Sequence, residues 1–315
     1  MADNNSDSEP IMPVSNFPTY RGSLFRYWHA AGQKSSKYQL FSFSELTDPN
    51  LYRCVLAEFV GTFLFQILHI GLEIESQGLS YGIGTALVYW FLLLAFGPTS
   101  GGHLNPLISI STMATGYTSP FRGILYVLFQ LFGGFLAIKA LDGVYEGTAL
   151  ATSSGKCGYW MTDSSSGGAA VMFDGFFDLI YLFFVYALAI DARASSVFGP
   201  GFGSFLLAFS YGTLTYVSKG FDQLQNSNAS ANPSQLYTGY TWGENYVFCL
   251  MSDALYTSND VVPDEWAQGG GVAFGGIVVS VIIHTLLYYA FLPLTNFREH
   301  QDEEIARNKM LLKIV

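Results

Sequence analysis

Charge is scarce in this chain. Only 12% of its residues are Asp, Glu, Lys or Arg, about half of what a soluble domain carries. So few charges cannot cover a water-facing surface, so much of the surface must meet something else. The balance is acidic, 14 basic residues against 24 acidic, and the net charge of −10 excludes a nucleic-acid footprint. Three cysteines are too few for a disulfide framework. Histidine is sparse too: His69, His103 and His284 are scattered, no metal-ligand spacing appears, and no nucleophile stands beside a recognisable base. No metal, no cofactor and no enzyme activity are therefore expected. The start, Met1-Ala2-Asp3-Asn4, lacks both the basic-then-apolar pattern of a secretory leader and the Arg-rich pattern of a transit peptide. No cleaved targeting segment is expected, and the first apolar run should direct membrane insertion.

Apolar residues are abundant, at 50%, with 17% aromatic. Six apolar runs stand out: Leu51–Ile70, Tyr81–Phe96, Ile124–Leu141, Asp174–Ile190, Phe202–Val217 and Gly269–Leu292. Each is near the roughly 17–25 residues that cross a bilayer, so six spans in a lipid bilayer are expected. Arg21, Arg26, Lys34, Lys37 and Arg53 precede or open the first run, Arg122 and Arg193 lie in alternate connections, and Arg298, Arg307, Lys309 and Lys313 follow the last. The remaining connections are rich in Glu and Asp. The bias of positive charge toward the cytosol places both termini there. The plasma membrane is the default location, supported by the sequon Asn228-Ala229-Ser230 on the predicted outer side; an intracellular membrane is the alternative. Cys157 and Cys249 both fall in predicted outer loops, where a disulfide between them and two free thiols are both open.

Residues 1–50 read as a polar cytosolic tail, 51–295 as the membrane domain, and 296–315 as a second cytosolic tail. The tails carry apolar clusters, Tyr27-Trp28-His29 in the first and Ile305, Met310, Leu311, Leu312 and Ile314 in the second. The second fits either an interfacial amphipathic helix or a solvated tail. The membrane domain divides into halves, 51–145 and 171–295, on one plan: a span, a second span, a short Asn-Pro segment, a third span. Three spans per half give the halves opposite orientations, an inverted repeat of the kind that places its site near the bilayer midplane.

The first Asn-Pro segment, Gly97-Pro98-Thr99-Ser100-Gly101-Gly102-His103-Leu104-Asn105-Pro106-Leu107, is the strongest local signal. Glycine permits tight turns, Asn is a good N-cap, and Pro suits the first helical position. Leu107–Ala114 then reads as a helix about half a membrane deep. Irregular backbone at that depth is tolerated only where protein buries it or a wet cavity receives it; a re-entrant capped helix without transport and a pore-lining half-helix both fit. The second segment is Asn232-Pro233-Ser234-Gln235-Leu236 in the matching place. Glu58, an acid inside an apolar run, is costly and therefore suggestive.

These features resemble the aquaporin (major intrinsic protein) family. Ala57-Glu58-Phe59-Val60-Gly61-Thr62, Gln130 with Gly133-Gly134, the run Tyr186–Arg193, and Gly275-Gly276 through Phe291-Leu292-Pro293 are similar to its patterns. The resemblance implies an all-α membrane protein with six transmembrane helices and two re-entrant half-helices. It implies a passive channel for water and other small neutral solutes (glycerol, urea, ammonia or peroxide), assembled as a homotetramer. Asn105, Pro106, Leu107, Asn232, Pro233 and Ser234 would meet at the pore centre, with Gly101, Gly102, His103 and Leu104 lining the cytosolic approach through backbone carbonyls. Glu58 would bond to the backbone of the opposite Asn-Pro loop, with Gln130 as further loop support; its counterpart in the second half is Asp174, for which a solvated acid at a span end is the alternative, with Asp178 as a second candidate. Tyr27, Trp28 and His29 are candidates to cover the inner mouth, with His29 or a phosphorylated serine as the switch.

The chain departs from that pattern at the outer filter. Gln235 stands where the family commonly has Arg, and a neutral amide cannot repel cations. Thr85 occupies a position that water-selective members fill with an aromatic, and the span-five filter residue falls within Tyr211, Gly212 and Thr213. The departures motivate a competing class, a non-conducting scaffold or subunit of a larger membrane complex. A Gln235→Arg variant is predicted to raise the water-to-urea permeability ratio in vesicle swelling; an unchanged ratio counts against a filter role for Gln235.

Overall fold

A computed structural model describes residues 43–75, 78–145, 167–190, 192–225 and 264–291. Helix α1 spans Pro49–Glu75 and follows a short 3-10 turn, Phe43–Thr47. Its start is capped by Asp48, whose Oδ1 accepts the Asn50 N–H at 2.9 Å, satisfying one of the orphan donors of a first helical turn. Helix α2 spans Leu79–Ser100, the short α3 Pro106–Ala114, and α4 Pro120–Tyr145. Helix α5, Gly167–Val185, runs on into a π-helical turn at Tyr186–Ile190. Helix α6 spans Ala192–Gln225 and α7 Asp264–Phe291. All regular structure among the described residues is helical, and the helices contain the six expected apolar runs apart from Leu292, the last residue of the sixth, which lies outside the described residues.

By length and composition, the stretches Pro49–Leu72, Leu79–Ser100, Pro120–Ala137 and Val171–Ile190 can each cross a membrane, and Phe274–Ala290 adds a shorter apolar helix. The distribution of side chains is that of a protein dissolved in lipid. Leu56, Phe91, Leu128, Phe176, Phe209 and Leu286 are exposed, while Glu58, Gln66, His69, Gln130, Asp174, Asp178 and His284 are buried. Polar groups that cost several kcal/mol to leave unpaired in hydrocarbon face inward instead (about 1–3 kcal/mol each by mutational measure).

The repeat is visible in the packing. In each half the first and third helices pack together, α1 on α4 and α5 on α7, and the second helices, α2 and α6, pack on each other across the halves. Small residues make the close approaches. A Cβ on Gly133 would press on the Phe59 carbonyl, and one on Gly175 would meet the Gly276 carbonyl oxygen at 3.1 Å. Phe59 and Gly175 each follow the acid of their half, Glu58 and Asp174. Where α2 crosses α6 the fit is tighter still: a Cβ on Gly212 would overlap the Gly82 carbonyl oxygen, and one on Gly82 would lie 2.8 Å from the Gly212 oxygen.

Two substitutions test this packing. Gly212→Val is expected to destabilise the protein by about 1–3 kcal/mol through overpacking, lowering its melting temperature in detergent. Gly71→Ala has nothing within 4 Å of the added Cβ and is expected to be neutral or to stabilise by about 0.5–1 kcal/mol; equal losses in both would contradict the packing described.

Candidate functional site

The chain leaves helical geometry between α2 and α3. Gly101 ends α2 at φ 99° with its N–H donated to the Gly97 carbonyl. Gly102 follows at φ 64° and Leu104 at φ 47°. Glycine takes such angles freely; a leucine there costs on the order of 1–3 kcal/mol and persists only when its surroundings dictate it. Here they do. The Leu104 N–H donates to Glu58 Oε2 at 2.6 Å, and the Leu104 side chain lies against Gly61, where a Cβ would overlap it.

Glu58, fully buried on α1, collects four donors, and the two backbone N–H groups among them belong to the Asn-Pro loop of its own half rather than the opposite one, because that loop returns directly beside α1. Oε1 accepts the Ser100 hydroxyl and the His103 N–H (3.0 Å); Oε2 accepts the Leu104 N–H and Gln130 Nε2 (2.7 Å). Charge-assisted bonds of this kind are about twice as strong as neutral ones. The same segment is held from both sides by Cys54 Sγ on the Thr99 carbonyl at 3.0 Å and by Tyr126 Oη on the Ser100 carbonyl at 2.9 Å. The Gly102 N–H donates to Ser100 Oγ. His103 sits edge-on to Tyr126 with its Nδ1 3.0 Å from Ser109 Oγ. All four N–H groups of residues 101–104 are thus bound within the protein.

Asn105 caps α3 in extended geometry, its Oδ1 accepting the Leu107 N–H at 2.9 Å. With Oδ1 engaged, the two Nδ2 donors have no partner among the described residues. Pro106 takes the first helical position, so α3 begins one residue earlier than the expected Leu107. The result is a pair of amide donors at the positive end of a helix dipole, directly after the 101–104 segment.

At its far end α3 meets aromatic and hydroxyl groups that the sequence does not single out. The Tyr186 hydroxyl, at the π-helical turn, lies 3.1 Å from Ser111 Oγ and 2.6 Å from Thr115 Oγ1. His284 packs on Tyr186 at 4.2 Å between centroids. Tyr117 and Tyr288 join by their hydroxyls. A second aromatic group fills the interior where α1, α2, α5 and α6 converge: Phe65, Tyr89, Tyr181 and Tyr211, all nearly inaccessible. Phe65 is seven residues after Glu58 and Tyr181 seven after Asp174, a spacing of two helical turns that would have marked them.

The remaining expected residues divide. Asp174 and Asp178 are buried one turn apart on α5, not solvated at its end. Thr85 is fully buried on α2, and its hydroxyl has no partner among the described residues. Of the three span-five candidates, Tyr211 faces the interior aromatics, Gly212 faces α2, and Thr213 is on the outer surface with its hydroxyl on the Phe209 carbonyl. Asn232, Pro233, Ser234, Gln235, Asn228, Cys157, Cys249, Tyr27, Trp28 and His29 lie outside the described residues.

Glu58→Ala is predicted to orphan the His103 and Leu104 N–H groups at about 1–3 kcal/mol each. Its melting temperature in detergent should fall well below that of the native chain, with Glu58→Gln between the two. Equal stability of all three would remove Glu58 as the support of this segment.

Comparison with known proteins follows the same lines. The family model for Major intrinsic protein matches residues 45–233, which takes in both Asn-Pro pairs. The chain is 30% identical over 224 residues to "Probable aquaporin TIP4-1" of Oryza sativa subsp. japonica, covering 65% of this chain and 83% of that one. It is 24% identical over 253 residues to "Aquaporin-2" of Bos taurus, covering 78% and 82%. Its fold is similar to the X-ray structure of the aquaglyceroporin from Plasmodium falciparum, with a TM-score of 0.54 and 19% identity over 78% of this chain and 99% of that one. A carboxylate-held Asn-Pro half-helix inside an inverted repeat, together with a family match over most of the membrane domain, means that this chain belongs to the major intrinsic protein family.

Proposed function

We propose that this integral membrane protein is a passive channel for water and other small neutral solutes. The observation that carries this is the junction of the 101–104 backbone, whose N–H groups are all bound, with Asn105, whose amide donors stand at the head of α3; in this reading the 101–104 carbonyls face the same path as acceptors, in line with those donors. A molecule that both donates and accepts hydrogen bonds can pass along such a line without ever lacking a partner. The positive end of α3 disfavours cations, protons included, at the same point. In this reading Asn232-Pro233-Ser234 forms the opposing half-helix, supported by the family match reaching residue 233, and buried Asp174 holds it as Glu58 holds the first. Thr85 and Gln235 then make an outer filter that is wide and uncharged. The relatives named as aquaporins, in plant and animal, and the aquaglyceroporin fold support the solute class, and the family's tetramer is carried over with cytosolic termini. Both plasma and intracellular membranes are compatible locations.

Stopped-flow swelling of proteoliposomes tests this. The purified protein is expected to raise osmotic water permeability several-fold over empty vesicles without raising proton leakage. Permeability equal to that of empty vesicles, across pH and with serine-to-aspartate variants of the tail, would favour the non-conducting scaffold instead.

A further inference from the structure

We propose that Phe65, Tyr89, Tyr181 and Tyr211 form a four-ring constriction across the centre of the channel and set the largest solute it passes. The inference rests on the channel reading and assigns the size limit to residues deep in the pore rather than to the outer filter.

Each ring comes from a different helix: Phe65 from α1, Tyr89 from α2, Tyr181 from α5, Tyr211 from α6. The repeat relates two of them. The first helix of each half contributes the residue seven positions after its buried acid, about 10 Å along the axis at 1.5 Å per residue. The second helix of each half contributes a tyrosine. Ring centroids lie 5.4 Å apart for Phe65 and Tyr89, 5.8 Å for Phe65 and Tyr211, 5.0 Å for Tyr89 and Tyr211, and 5.3 Å for Tyr181 and Tyr211. The Tyr181 hydroxyl donates to the Tyr89 hydroxyl at 3.0 Å and ties the fourth edge. Aromatic rings at these separations are in van der Waals contact, with no room for a molecule between them. The Leu104 side chain lies over Gly61, and Phe65 stands one turn further along α1, so the rings start one helical turn from the 101–104 segment.

The chemistry fits a constriction rather than plain filler. Burying a tyrosine hydroxyl costs free energy unless it is bonded, and Tyr89 and Tyr181 meet that cost by bonding to each other. A hydroxyl both donates and accepts, so this pair can exchange its mutual bond for bonds to a solute. When the rings turn apart, the opening is bounded by flat ring faces and hydroxyls: narrow, uncharged and wettable. It admits a water or a molecule of similar girth and stops a polyol. The same cluster closes the path when the rings touch. Gln235 supplies no guanidinium and Thr85 no bulk, and among the described residues these rings are the interior group packed ring against ring from four helices.

The test compares the native chain, Tyr181→Leu, the double variant Tyr89→Ile/Tyr211→Val, and a ring-preserving Tyr181→Phe, all in proteoliposomes with water, urea and glycerol as probes. Monodispersity and helical circular dichroism verify folding, and the single Tyr181→Leu serves if the double variant does not fold. Ring removal is expected to raise glycerol flux about ten-fold or more, equivalent to about 1.4 kcal/mol of barrier, while Tyr181→Phe keeps the native size limit. If the native chain conducts water and the folded ring-removed variants keep its water-to-glycerol ratio, the constriction is overturned and the channel reading stands. If native and ring-removed proteins alike match empty vesicles, both fail. A silent native chain with conducting variants supports the constriction as a closed barrier.

Discussion

A peptide group that leaves a helix at membrane depth has no water to turn to, and each one left unpaired costs more than most side-chain contacts contribute. This chain meets that constraint with one carboxylate. Glu58 takes the N–H groups of His103 and Leu104 together with donors from Ser100 and Gln130, so α1, α2, α4 and the head of α3 converge on two oxygen atoms. The left-handed leucine follows from where those oxygens sit, and the start of α3 at Pro106 and the direction of the Asn105 amide follow from the Asn105 cap on the Leu107 N–H. The burial of Glu58 is therefore compensated four times over, which is what a buried charge requires to persist.

The surrounding packing serves the same end. Lipid supplies no hydrophobic drive between helices, so association depends on close fit and internal hydrogen bonds. Small residues bring α1 to α4 and α5 to α7, and these approaches fall next to Glu58 and Asp174 in their respective halves. The acids are thus fixed by the tightest helix contacts in each half. Aromatic and hydroxyl groups, Tyr186 with Ser111 and Thr115 at one level and the four central rings at another, fill what remains.

Much of this was legible in the sequence because several local rules coincide there. Around Asn105 the glycines, the cap and the proline agree, and an acid inside an apolar run at Glu58 has few explanations. Gln130 was placed beside the loop by resemblance, and its bond to Glu58 accounts for it. Helix limits were less legible: apolarity marks the lipid-facing length of α6, Phe202–Val217, while the helix itself runs Ala192–Gln225. The choice among Tyr211, Gly212 and Thr213 needed the register, since neighbours on a helix point about 100° apart and only one can face inward. The central rings were legible only in part. Two helical turns separate Phe65 from Glu58 and Tyr181 from Asp174, but in a chain with 27 Phe and 20 Tyr nothing marks Tyr89 or Tyr211, and the cluster exists only once four helices, distant in sequence, come together.

The crossing of α2 and α6 bears on how such a molecule can move. Backbone meets backbone there, with Gly82 and Gly212 leaving no side chain to slide or compress. The two halves are pinned at that seam, so they cannot rock against each other as the repeats of an alternating-access carrier do. Whatever opens or narrows the interior must come from side chains swinging within a fixed frame. That confines changes within the frame of the described helices to local torsions, a faster and less cooperative kind of motion than the displacement of whole domains.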